Sequence, residues 1–261
     1  MFCRYLGSDS NVIIPEGIKK IGVAAFDGRA SVTSVTIPEG VTEIGEQAFF
    51  LCENLASVNL PDSLVTIGEA AFRGSSLASL ALPAGVKEIG DQAFLHCGGL
   101  ADENGFVIVR DVLYSYVGDR EVVAVPDGVS RIGTFAFSGK ENLRRVLLPR
   151  SVKSIGLGAF EDCENLARVD LPEHPMTIED RAFRGCPLFA DEAGFIILRG
   201  TLFDFIGDGE RVEIPQNVTR IGSLAFDGKG NLVSVAIQDG LKEIADDAFS
   251  DCPKLTHIFR K

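Results

Sequence analysis

One pattern constrains this chain more than any other: an Ala-Phe pair that returns nine times at a near-constant interval. The Phe residues stand at positions 26, 49, 72, 94, 137, 160, 183, 226 and 249, in steps of 22 or 23 except for two steps of 43. A proline after Ile, Leu or Val keeps the same steps at 15, 38, 61, 83, 126, 149, 172 and 215, with Gln238 in its place in the ninth unit. Two independent markers in one register define a repeat, and a 20–50-residue repeat defines a stacked architecture. A unit this short cannot bury its own apolar face. Stacking buries a continuous one, so the nine phenylalanines are expected to form an internal column.

Each unit has a physical grammar. In Leu55-Ala-Ser-Val-Asn-Leu-Pro61 apolar and small polar residues alternate, as in a short half-buried strand, and Pro61 ends it because it cannot donate a ladder hydrogen bond. Val65-Thr-Ile-Gly68 gives a second extended piece, and the residues around Ala71-Phe72 give a single helical turn. Each 43-residue step holds about 20 extra residues, and the two insertions match. Residues 103–126 (ENGFVIVRDVLYSYVGDREVVAVP) align with 192–215 (EAGFIILRGTLFDFIGDGERVEIP). Each reads as strand, tight turn (Arg110-Asp111, Arg199-Gly200) and strand, so a β-hairpin is expected to project at about 103–121 and 192–210. Gly7, Gly118 and Gly207 all precede their proline by eight, so the first residues are expected to occupy the place of a hairpin's second strand, as in a fragment or a degenerate N-terminal cap.

The motif I-P-x-x-V-x-x-I-G-x-x-A-F-x-x-C-x-x-L, carried from about Val12 to Phe259, resembles the BspA-type leucine-rich repeat family of bacterial and protist proteins. The departures are Arg29, Ser75, Lys140 and Lys229 for Cys, Pro175 for an apolar residue, and Glu179 and Ala245 for Gly. The resemblance implies an α/β right-handed leucine-rich-repeat solenoid, here of about nine coils with two inserted hairpins, over residues 1–261 as one domain. It also implies a secreted or cell-surface setting and adhesin-like binding of host proteins.

Chemistry-bearing constellations are sparse. Five of six cysteines (Cys52, Cys97, Cys163, Cys186, Cys252) follow the repeat Phe by three residues, which suits buried thiols acting as small apolar groups. Only Cys163 and Cys186 fall in neighbouring coils, and no CxxC or Cys/His cluster suggests zinc. His96, His174 and His257 are dispersed, and no nucleophile elbow, P-loop, dinucleotide turn or HExxH occurs. No cofactor and no catalysis are expected. The net charge of −12 argues against a nucleic acid partner, which needs a basic footprint, and against anionic membrane. No apolar run approaches the roughly 20 residues of a membrane span, and no secretory leader is visible at the N-terminus.

The outward strand positions line up into lanes. One lane reads Asn11, Ser34, Ser57, Ser79, Val122, Arg145, Arg168, Arg211, Ser234, His257, and its neighbour reads Ile13, Thr36, Asn59, Ala81, Ala124, Leu147, Asp170, Glu213, Ala236, Phe259. Arg145, Arg168 and Arg211 are candidate partner-binding residues, a stripe suited to carboxylates or sulfates. The alternative is a neutral surface in which Arg168 pairs with Asp170 and Arg211 with Glu213. Tyr114, Tyr116, Phe203 and Phe205 in the hairpins are the second candidates: they either cover the solenoid's side or form an exposed aromatic patch. A protein or glycan partner, host extracellular in the family's manner, is the leading expectation. A self-assembling or intracellular scaffold, joined edge to edge through open strands, is the alternative.

Overall fold

The computed structural model describes all 261 residues, and they divide into two compact units: Met1–Gly118 with Arg131–Ala136, and Asp119–Ser130 with Phe137–Lys261. Both are built from the same β-solenoid coil. In each regular coil a three-residue outer strand ends at the proline, a two-residue inner strand ends at the glycine, and tight turns carry the Ala-Phe-x-x-Cys segment. In the first unit the outer strands Asn11–Ile13, Ser34–Thr36 and Ser57–Asn59 pair in parallel, as do the inner strands Lys20–Ile21, Glu43–Ile44, Thr66–Ile67 and Glu88–Ile89. In the second unit the outer strands form two ladders, Val122–Ala124 with Arg145–Leu147 and Arg168–Asp170, and Arg211–Glu213 with Ser234–Ile237 and His257–Arg260.

The repeat side chains explain why the coils stack. Phe26, Phe49, Phe72 and Phe94 are fully buried and stack ring on ring at 4.8, 5.1 and 5.7 Å between centroids. Phe137, Phe160 and Phe183 do the same at 5.1 and 5.4 Å. The Phe N–H donates to the Ala carbonyl of the next coil, as from Phe26 to Ala48 and from Phe160 to Ala182. The cysteine returns the connection, with its thiol donating to the previous Phe carbonyl: Cys52 to Phe26, Cys163 to Phe137 and Cys186 to Phe160, each at 3.0 Å. All six cysteines are free.

The segment expected to be a helical turn is instead a run of tight turns. Its hinge lies two residues before the Phe, where Ala24, Gln47, Ala70, Gln92, Phe135, Arg181 and Leu224 all hold φ between 50° and 59°. Only Gly158 occupies this left-handed position without a Cβ penalty. The glycine that closes the inner strand serves a different need, close approach. A Cβ on Gly68 would lie 2.5 Å from the Glu46 nitrogen. Where Glu179 replaces that glycine, its carboxylate accepts the Leu157 N–H at 3.0 Å.

The insertions do not project. Phe106–Val109 pairs antiparallel with Val112–Tyr116, and Phe195–Leu198 with Thr201–Phe205, as the sequence suggests. The second strand of each hairpin then becomes an inner strand of the solenoid, parallel to Arg131–Ile132 in one case and to Arg220–Ile221 in the other. Tyr116 donates to the Ala136 carbonyl and Phe205 to that of Ala225, so both residues stand where a repeat Phe would. Each insertion is therefore an additional turn, and nine coils become about eleven turns. The N-terminal residues follow the same rule. Phe2 bridges Ile21, Gly22 donates to the Phe2 carbonyl, and the Tyr5 ring stacks on Phe26 at 5.1 Å.

Candidate binding surface

The outer strands carry the lanes in the expected register: Asn11, Ser34 and Ser57 are directly paired, as are Val122, Arg145 and Arg168, and then Arg211, Ser234 and His257. The ladders are nevertheless interrupted: the first ends at Ser57–Asn59, one coil before the first hairpin, and the second ends at Arg168–Asp170, where the second hairpin supplies an inner strand and no outer one. The expected stripe of three arginines is consequently divided. Arg145 and Arg168 are neighbours in one ladder, and Arg211 opens another.

These arginines differ in their commitments. Arg145 donates from Nε to Asp170 Oδ2 at 2.7 Å, and Arg168 donates from its own Nε to Oδ1 of the same carboxylate. Hydrogen bonds from the two guanidinium groups hold the Asp170 carboxyl below its usual range. This is a surface cluster, of a kind that contributes little to stability. Arg211 has no such partner. Glu213, expected to pair with it, is taken by Lys261 and by Gln238 Nε2 at 3.1 Å. Arg211 instead lines a shallow groove of ≈ 670 Å³ with Ser234, Ala236, His257, Phe259 and Lys261. Phe259 is 48% exposed, and the His257 ring is oriented by Thr256 Oγ1 at 2.7 Å from Nδ1. A free guanidinium fork beside an exposed ring and a strand of small residues can grip an anionic group and pack an apolar face. It offers no nucleophile positioned by a base.

The aromatic candidates lie elsewhere. Tyr114, Tyr116, Phe203 and Phe205 are between 1% and 5% exposed, so no aromatic patch reaches the surface. Tyr114 meets Phe94 edge-on at 5.4 Å, Phe203 meets Phe183 edge-on at 5.6 Å, and Phe205 packs on Phe226 at 5.3 Å. Burial pushes the Tyr114 hydroxyl up to about 12. These rings are core residues of the additional turns, and as partner contacts they are withdrawn. His174 is likewise tied down, its two ring nitrogens 2.9 Å from the carbonyls of Pro175 and Arg150.

Sequence reasoning missed a set of ionic clasps. Asp91 pairs with Arg131 at 3.2 Å in the first unit, and Asp180 with Arg220 in the second. Each pair straddles a hairpin, and the two pairs are related by the same offset as the hairpins. That offset, applied to Asp and Arg, was the available signal. A second cluster centres on Glu161, whose side chain is 5% exposed and which receives Arg181 at 2.6 Å and Arg184 at 3.2 Å. Nowhere do three His, Cys, Asp or Glu side chains converge as metal ligands would. No helix is long and apolar enough to cross a membrane.

Parallel short strands on two faces, one stacked aromatic per coil and a register kept over some 23 residues define a leucine-rich-repeat protein. The chain belongs to the BspA type leucine-rich repeat family: six copies of that repeat region match residues 2–104, 108–191 and 199–260. No curated protein matches it. Among solved structures it is similar to a leucine-rich repeat protein from Eubacterium ventriosum at 21% identity and a TM-score of 0.53, over 96% of this chain and 72% of that one. A leucine rich cell surface protein from Faecalibacterium prausnitzii is 26% identical over 97% of this chain and 79% of that one, with a TM-score of 0.46. The leucine rich repeat protein of T. pallidum is 32% identical over 72% of this chain and 82% of that one, with a TM-score of 0.43.

Proposed function

We propose that the chain is a non-catalytic recognition protein, adhesin-like, that binds a protein or glycan partner through its outer strand face in a secreted or cell-surface setting. The observation that carries this reading is Arg211. It is the arginine of the outward lanes that no carboxylate holds, and it sits in a groove of ≈ 670 Å³ with an exposed Phe259. A free guanidinium on an acidic protein selects a carboxylate or sulfate on the partner. Matrix proteins and acidic glycans are the probes, arrayed against the wild type, a double variant Arg211→Ala with Phe259→Ser, and a second variant with Arg145 and Arg168 changed to Ala. Loss of a hit in the first variant, with the hit retained in the second, is the expected result. A hit lost only in the second variant, or no hit at all, overturns it. The runner-up is a self-assembling scaffold, favoured by the strand His257–Arg260, all four residues of which are exposed. A mass by light scattering that rises with concentration would support that reading.

A further inference from the structure

The outer ladder of the first unit stops one strand early, and the place it leaves has a shape. Residues 79–81 continue the outer lanes in sequence, yet they form no strand. Ala78 donates to the Ala56 carbonyl, and beyond it no backbone hydrogen bond involves Ser79, Leu80, Ala81 or Leu82. In the regular coils this bond pattern persists, as from Ile37 to the Asn59 carbonyl, from Ile14 to Thr36 and from Leu148 to Asp170. The following turn is the hairpin, which brings no outer strand to cover the segment. What lies there is a groove of ≈ 440 Å³ whose lining includes Leu80, Leu82, Gly99, Leu100, Ile108 and Val109.

We infer that this groove takes an extended segment of a partner polypeptide, with apolar residues at alternate positions, bound as the missing outer strand. Unpaired amides and carbonyls in a row are what a strand needs from an edge, and alternate apolar pockets read its side chains. Leu80 and Leu82 are half-buried while Ser79 and Ala81 are exposed, so the wall already alternates with the strand period. The second hairpin differs in sequence at the corresponding corner. There the counterparts of Gly99 and Leu100 are Leu188 and Phe189, and the Phe189 ring stacks on Phe183 at 5.0 Å. The strand before it, Arg168–Asp170, pairs on one side with Arg145–Leu147 and is the last strand of its ladder. The second element thus brings its own aromatic where the first has only leucine beside a glycine. A lipid chain would leave the amides of 79–82 unmet, and a sugar would bring no alternating apolar side chains to Leu80 and Leu82. A polypeptide strand meets them and the apolar wall together.

The probe is a labelled peptide of the chain's own outer-strand sequence, Leu-Ala-Ser-Val-Asn-Leu-Pro, with binding followed by fluorescence anisotropy on the full chain. Saturable binding is expected, and a scrambled peptide without the alternation should bind at least tenfold more weakly. Leu100→Phe copies the residue of the second hairpin and narrows the groove, so it should weaken binding about tenfold while keeping the melting transition. Ile108→Glu should abolish binding, and Lys254→Ala, at an exposed residue far along the sequence in the other unit, should leave it unchanged. Absence of saturable binding at millimolar peptide, equal binding of the scrambled sequence, or indifference to Leu100→Phe each overturns the inference. Concentration-dependent self-association that Ile108→Glu removes would also overturn it, by placing a second copy in the groove.

Discussion

Replacing a ring in the stacked column separates a core that is shared between coils from one that belongs to each coil. Phe160 is fully buried between Phe137 and Phe183, its N–H bonded to Ala182 and its carbonyl receiving the Cys186 thiol. Phe249 occupies the same place in the ninth coil but is half-buried, with Phe226 at 4.9 Å as its ring neighbour. Truncating a buried Phe to Ala costs about 3–5 kcal/mol, of which each aromatic pair accounts for roughly 0.5–1.5 kcal/mol. Phe160→Ala loses two ring contacts and leaves a closed cavity, so about 4 kcal/mol is expected. Phe249→Ala loses one contact from a site already half open to solvent, so about 2 kcal/mol is expected from the same ranges. Because stacked repeats need not unfold in one step, urea titration by circular dichroism should be paired with native-state hydrogen exchange. Exchange should accelerate around residues 137–183 in the first variant and only around the ninth coil in the second. Equal costs for the two variants, or a loss below about 1.5 kcal/mol for Phe160→Ala, would refute the account of a column stabilised by its neighbours.

Three further outcomes follow from the geometry. Burial pushes the thiols of Cys52, Cys97 and Cys163 up to about 11, so at pH 8 only about 0.1% of each is thiolate; in the native chain iodoacetamide should modify exposed Cys3 first and leave these three intact until unfolding. Hydrogen bonds from Arg220 hold the Asp180 carboxyl below the usual carboxylate range despite its partial burial. The stability it contributes is present above the unfolded value and is lost as pH falls through the lower folded value, so the gap of about 1 kcal/mol between wild type and Asp180→Asn should close below about pH 3.8. Ala24, at φ 52°, carries a Cβ in a region that favours glycine; Ala24→Gly should raise stability by about 0.5 kcal/mol in thermal denaturation, because relief of left-handed strain outweighs the added chain entropy.

Much of this architecture was legible because the repeat repeats its physics. The proline that stops a strand and the glycine that permits close approach recur in phase, so the outer-strand register from Asn11 to Ser57 could be written from spacing alone. The hairpins were legible as hairpins but not as turns of the solenoid. Tyr116 and Phe205 stand 21 residues before Phe137 and Phe226, close to one repeat. Because they follow Ser and Asp rather than Ala, the marker pair did not flag them. That single difference left four core aromatics read either as a cover on the solenoid's side or as an exposed patch. The arginine stripe failed for a related reason. Lanes drawn through a sequence assume that every coil contributes an outer strand, and the inserted turns contribute none. Which arginine stays uncommitted depended on Lys261 reaching Glu213 from 48 residues away, a contact no local pattern encodes.

The paired clasps bear on how such a chain grows. Asp91 with Arg131 and Asp180 with Arg220 bracket equivalent stretches, and Asp102 and Asp191 each accept two backbone N–H groups at the start of their hairpins, all at 2.9 or 3.0 Å. The duplicated segment therefore starts and finishes at the same phase of the coil and carries its own fastenings. Copying or deleting it would join like to like, with no strand out of step and no buried charge left behind. A chain lengthened or shortened in cassettes of three coils and one hairpin would therefore keep the phase of the coils at either side of the join.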